Sequence, residues 1–234
     1  MQVLPGQLVQ NQADLSDPTK LAPLTSALEA FEVAVFDVNH NFALGYTSLY
    51  DISPNSVRGI GFDPSDTIDP TNPGSVVPII GGVQKPVPGF KDRLDGRLII
   101  AKNTVAQLNR IFSNSVAMRG DEGHPISIKS FLSVASQSTF HSLNNTSVSV
   151  GEFAKIGAHC VVHGGVNTVT GNTVTQIGNN FILGDYSVIY RSTIGDNVTV
   201  GKKCYIDSTT LPSGTVVPDG TILVKGVNKG TIMW

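Results

Sequence analysis

Residues 177–217 read IGNNFI (177–182), LGDYSV (183–188), IYRST (189–193), IGDNVT (194–199), VGKKCY (200–205), IDSTT (206–210) and LPSGTV (211–216), with Val217 opening the next step. An aliphatic residue leads each step of six or five, a small residue often follows it, and a small or apolar one often stands four places after the leader. A period of six predicts a parallel β-helix, in which each six-residue step lays one short strand on one face of a triangular coil. Three steps close a coil of 18 residues, and coils stack at the strand spacing of about 4.8 Å.

The same step runs back to Leu94 through Ile100, Ala106, Phe112 and Met118, then through Ile128, Val134 and Phe140, then Val150, Ile156 and Val162. Detours at GHPI, SLNNTSVS and GGVNTVTGNTVTQ leave as loops. Dealing the leaders out in rotation gives three columns. Column A takes Ile100, Met118, Phe140, Val162, Ile189 and Ile206. Column B takes Ala106, Ile128, Val150, Ile177, Ile194 and Leu211. Column C takes Phe112, Val134, Ile156, Leu183, Val200 and Val217. Six coils predict a stack of about 29 Å. Domain organisation follows: residues 91–234 form the β-helix and residues 1–90 a Pro-rich extension or cap. Ten of the thirteen prolines fall in the first 88 residues, so this region reads as largely irregular, with Pro23 to Asp37 a short helix passing into a strand.

Composition bounds the function. The 234 residues carry a net charge of −2 and a pI near 6.2, which offers no basic footprint for nucleic acid or an anionic membrane. With no run of 18 apolar residues and no N-terminal signal pattern, the sequence predicts a soluble protein, cytoplasmic or the mature form of an exported one. Four places after the column C leaders stand Val116, Ser138, Cys160, Ser187, Cys204 and Thr221. The two cysteines therefore sit two coils apart, about 10 Å, too far for a disulfide, and read as buried structural thiols.

Four of the five histidines lie between residues 124 and 163. His141 follows the column A leader Phe140 and His163 follows the column A leader Val162, so the two are expected as stacked neighbours pointing outward. Two imidazoles at that spacing are either exposed surface residues or a pair able to converge on one zinc at about 2.0–2.1 Å each. One coil below His141 comes Arg119, followed by Asp121 and Glu122 within RGDEG.

From Leu94 to Val224 the chain resembles the γ-class carbonic anhydrases and their carboxysomal relatives. The resemblance is carried by MRGDEGHPISI (118–128), the histidine of FHSL nineteen residues after Glu122, CVVHGG (160–165) and IGNNFILGDYSV (177–188). It implies an all-β fold, a left-handed parallel β-helix of hexapeptide repeats, assembled as a homotrimer with zinc (or iron or cobalt) at each junction. It also implies an activity, the zinc-hydroxide hydration of CO2 to bicarbonate. By position, His141 and His163 match the two metal ligands from one subunit, Arg119 and Asp121 the pair that braces the junction, and Glu122 the acid beside the substrate water. The proton-relay candidates are Glu122, His124 and Glu152. The third ligand falls on Ala158, with His159 one place late as its substitute; Ala135-Ser136 and Asn144 replace polar residues of the family. Three functions stay open: a carbonic anhydrase using His159 as third ligand, a non-catalytic scaffold of the same family with a degenerate metal site, and a hexapeptide acyltransferase.

Overall fold

The computed structural model describes residues 1–4, 9–52, 93–96, 98–100, 107–120, 125–143 and 145–232. It divides into two compact units, Met1–Leu44 and Gly45–Trp234. The boundary expected at residue 90, and most of the Pro-rich segment, lie outside the described residues.

In the first unit, Gln2–Val3 pairs antiparallel with Leu21–Ala22, and a 3-10 helix at Gln12–Ser16 is closed by a capping box between Asn11 and Asp14. The helix α1 then runs from Ser26 to Ile52. This corrects the expected short helix passing into a strand: Val33 and Val35, whose β-branched side chains favour a strand, lie inside the helix. The Thr25 hydroxyl accepts from the backbone of Leu28, capping the helix start. Ala27, Ala30 and Ala34 favour the helix, and no proline interrupts it. Among the described residues no helix is long and apolar enough to cross a membrane.

The second unit is mostly strand. Successive strands pass in rotation through three sheets, each almost wholly parallel, which is the topology of a parallel β-helix. Sheet A stacks Leu94, Met118, Phe140, Val162, Ile189, Ile206 and Leu223 in register, and the hairpin strand Val227–Thr231 closes its far edge antiparallel. Sheet B stacks Ile100, Ile128, Val150, Ile177, Ile194 and Leu211. Sheet C stacks Val134, Ile156, Leu183, Val200 and Val217, with Phe112 bridging to Val134 below them.

From Met118 upward each column is the one the sequence predicts. At the base it differs: Ile100 belongs to column B rather than A, and Leu94 takes the foot of column A. Ala106 lies outside the described residues, and its expected place over Ile128 is held by Ile100. The twelve residues from Ile100 to Phe112 divide evenly into two steps of six, yet they include a helical turn at Leu108–Ile111.

The leaders fill the prism. Met118, Phe140, Val162, Ile189 and Ile206 are fully buried, and Phe131 joins Phe112 and Phe140 with ring centroids 5.9 and 5.4 Å apart. One inner corner is lined as expected by Val116, Ser138, Cys160, Ser187, Cys204 and Thr221, all buried. Their polar atoms form a ladder between coils: Ser138 Oγ donates to the Gly157 carbonyl at 2.6 Å and accepts from the Cys160 amide at 3.1 Å. Ser187 repeats this with Gly201 and Cys204 at 2.7 and 2.9 Å. Both cysteines are free and buried, and burial pushes the Cys160 thiol up to about 11. A thiol so placed is an inert packing group.

Candidate metal centre

The three faces differ in the residue that follows the leader. In sheets B and C, strands such as Ala154–Ile156 and Ile182–Leu183 end on the leader, and from Val150 to Val200 glycine comes next. A Cβ on Gly184 would stand 2.5 Å from the carbonyl carbon of Gly201 in the next coil, so only glycine fits that corner. In sheet A the strands Thr139–His141, Val161–His163, Val188–Tyr190 and Tyr205–Asp207 continue one residue past the leader. That extra residue stays in strand geometry and faces away from the core. Arg119, His141, His163, Tyr190 and Asp207 are thereby direct register partners, one above the next.

His141 and His163 meet as the sequence predicts. His141 Nδ1 lies 3.1 Å from His163 Nε2, and the rings stand nearly perpendicular with centroids 4.8 Å apart. The other nitrogen of His163, Nδ1, is 2.7 Å from the carbonyl of Gly164. A carbonyl only accepts, so Nδ1 carries the proton and Nε2 presents its lone pair toward His141. The ligand atoms of a tetrahedral zinc site at 2.0–2.1 Å from the metal are about 3.3–3.4 Å apart. The observed separation is close to that edge, and a histidine whose second nitrogen is locked by a backbone carbonyl is oriented as metal-binding histidines usually are. The pair thus fits two positions of a zinc site. Among the described residues no group of three His, Cys, Asp or Glu side chains converges, so any third protein ligand comes from elsewhere.

The local sequence builds this corner. His163 is followed by two buried glycines. A Cβ on Gly164 would meet Thr146 Oγ1 at 2.7 Å, and one on Gly165 would meet the ring of Tyr190 at 2.7 Å. The Thr175 hydroxyl donates to the His163 carbonyl at 2.9 Å, tying the strand to the next face.

Above the pair, the Tyr190 ring packs edge-on against the His163 imidazole with centroids 5.2 Å apart. The Arg191 guanidinium lies over the Tyr190 ring, 4.4 Å from its centroid. Arg191 is itself held by Asp207, through Nε at 2.6 Å and Nη2 at 3.0 Å. Ser208 Oγ donates to Asp207 at 2.9 Å and is joined to Thr168 Oγ1 at 3.0 Å. Burial alone would push the Asp207 carboxyl up, but the hydrogen bonds from Arg191 and Ser208 and the guanidinium charge outweigh it and hold it below its usual value. The same partner raises Arg191 above its ordinary value. Arg191 was not among the residues the sequence singled out. Asp207 is the register partner of Tyr190, and Arg191, one residue on, reaches it across adjacent coils, a contact no linear motif marks.

Other candidates are distributed differently. Arg119 occupies the expected place one coil below His141, and its carbonyl accepts from the Ser142 amide at 3.0 Å. Asp121, Glu122, His124 and Asn144 lie outside the described residues. His159 stands in the turn after sheet C with φ +55°, exposed, its ring stacked parallel on Tyr186 at 4.7 Å. Within the chain it does not join the histidine pair. Glu152 is exposed in the turn after sheet B, on another face from the histidines. No protein-family model, characterised protein or solved structure matches the chain.

Proposed function

We propose that this chain is a γ-class carbonic-anhydrase-like protein that hydrates CO2 to bicarbonate, built on a left-handed hexapeptide β-helix and assembled as a homotrimer. One observation carries the proposal: two imidazole nitrogens 3.1 Å apart on adjacent strands, one of them oriented by a backbone carbonyl, on the face where the residue after the leader stays in the strand. His141 and His163 hold the metal, zinc or in its place iron or cobalt. A catalytic zinc takes three protein ligands and keeps one open position, so the third histidine is contributed by a neighbouring copy, and His159 is the residue assigned to it. Bound zinc would supply the Lewis acidity that makes a water nucleophilic near neutral pH.

The protein's own residues do the rest. Gly164 fixes the tautomer of His163 and Tyr190 forms the wall above it. Arg119 and Asp121 brace the junction between copies, and Glu122 accepts the proton and passes it to solvent.

The test is metal content together with CO2 hydration on purified full-length protein. The expectation is about one zinc per chain, lost with activity in His141→Ala and in His163→Ala, and lost in His159→Ala. Zinc retained at full stoichiometry in His163→Ala overturns the assignment.

A second reading, a non-catalytic scaffold with a degenerate metal site, is favoured by Ala158 at the expected ligand position and by the stacking of His159 on Tyr186. It predicts a metal-free oligomer whose assembly is indifferent to all three histidine substitutions. Acyl transfer explains neither the RGDEG segment nor the paired imidazoles.

A further inference from the structure

Three contacts decide where the His163 imidazole points. Its Nδ1–H is tied to the Gly164 carbonyl at 2.7 Å, its Nε2 lies 3.1 Å from His141 Nδ1, and the Tyr190 ring crosses it at 89° with centroids 5.2 Å apart. Tyr190 is itself an outward residue of a sheet face, so its ring needs a restraint of its own. Gly165 admits that ring, since a Cβ there would stand 2.7 Å from Tyr190 Cε2. The Arg191 guanidinium then lies over it, 4.4 Å from the centroid.

An arginine beside a surface aromatic is free to extend into water, and here a carboxylate folds it back. Asp207 takes the guanidinium at Nε and Nη2, at 2.6 and 3.0 Å. Because Asp207 is the register partner of Tyr190, the charge that draws the guanidinium inward sits on the strand next to the ring. Its own anchors are Ser208, which donates to it at 2.9 Å, and Thr168, which donates to Ser208 at 3.0 Å. The buried Asn167 adds a hydrogen bond from Nδ2 to the Arg191 carbonyl at 2.9 Å.

Turning the chain does not require this arginine. Arg191, Ser208 and Lys225 occupy the same corner of successive coils, each with positive φ, and each donates its amide one coil down, to His163, Tyr190 and Asp207 respectively. Serine and lysine make that turn as well, so the fork of Arg191 serves something other than the corner, and what it reaches is the ring against His163. We infer that Arg191 and Asp207 are positioning residues: through Tyr190 they hold the His163 imidazole with its Nε2 turned toward His141. A ligand already held in place gives up less freedom when a metal binds. That consequence rests on the zinc reading above; the restraint on the ring does not.

The experiment reads the His163 Nδ1–H directly, by solvent exchange in metal-free, full-length protein carrying 15N-labelled histidine, with His163→Ala identifying the signal. Arg191→Met combined with Asp207→Asn removes the clamp and leaves no unpaired charge; it is expected to speed exchange about tenfold, and Tyr190→Ala is expected to do the same. Gly184→Ala destabilises the coil away from the clamp and is expected to stay within threefold of wild type. Less than threefold in either clamp variant, or more than threefold in Gly184→Ala, overturns the inference. Where wild type binds zinc, the double variant is expected to bind it about tenfold more weakly in competition with a chromophoric chelator, and equal affinity overturns the inference as well. A wild type that binds no zinc sinks the metal reading alone, because the exchange rates are read without metal.

Discussion

Asp207→Asn is expected to destabilise the β-helix by about 2 kcal/mol at pH 7, and to lose that effect in acid. The carboxylate is 8% exposed and its partner Arg191 24%, with two nitrogen–oxygen contacts of 2.6 and 3.0 Å. Breaking a fully buried pair costs about 3–5 kcal/mol and an exposed one at most about 1. The guanidinium retains a path to water, which places this pair between those limits. Asparagine keeps the shape but turns an N–H2 toward the guanidinium, so one of the two contacts becomes donor against donor. The pH dependence follows from linkage. The carboxyl in the fold sits below its usual value, so on acidification the unfolded chain takes up its proton first, near pH 4. Between that point and the folded value the unfolded state binds more protons, so the stabilisation present at pH 7 is lost as pH falls. Urea unfolding of both proteins from pH 7 to pH 3, followed by circular dichroism, should show the wild-type advantage shrinking over the last two pH units. A deficit that is the same at pH 3 as at pH 7, or below about 0.5 kcal/mol at pH 7, refutes the clamp as described.

Gly184→Ala should cost at least about 2 kcal/mol, since its Cβ would meet the backbone of Gly201 and Lys202 at 2.5–2.7 Å and a neighbouring coil cannot move aside. Gly171→Ala, with φ +72° and open space around it, should cost about 1 kcal/mol from the left-handed backbone alone; thermal unfolding of the two variants separates steric from conformational cost. The Cys160 thiol, raised to about 11, favours the folded state below pH 9. That contribution should decline by about 2 kcal/mol as pH rises through 11, because the unfolded thiol ionises first. Cys160→Ser should lack this alkaline slope in denaturant titrations at pH 8 and 10.

The register from Met118 to Val217 was legible in the sequence because every coil returns an aliphatic residue to the same face, whatever loop leaves between faces. The separation of 22 between His141 and His163 exceeds a coil of 18, and the loop beyond His141 absorbs the difference, so the column alone dictates the pairing. Two features were illegible for physical reasons. Leu94 and Ile100 are both apolar and six positions apart, so period alone cannot say which of them opens column A; the ladder pairs Leu94 with Met118 and Ile100 with Ile128. In α1, valines at 33 and 35 have strand propensity, but capping at Thr25 and a run without proline decide for helix. The clamp from Arg191 to Asp207 needed the five-residue steps at 189–193 and 206–210 to be carried into space, since it joins diagonal neighbours that no linear motif marks.

Why the histidines stand on this face is a matter of corner geometry. Where a strand ends on its leader, as in sheets B and C, the next residue already turns, and the adjacent coil lies so close that a side chain there is excluded. A histidine at position 157 or 184 would break the stack before it could meet a partner. Sheet A delays its turn by one residue, so the position after the leader remains in the hydrogen-bonded ladder and repeats at the strand spacing. Two imidazoles placed there are held at that spacing by the backbone on both sides, without any loop having to fold over them. Assembling a metal centre from such a column requires only that the adjoining surface supply the remaining ligand, and that requirement makes the His159→Ala comparison decisive between an enzyme and a scaffold.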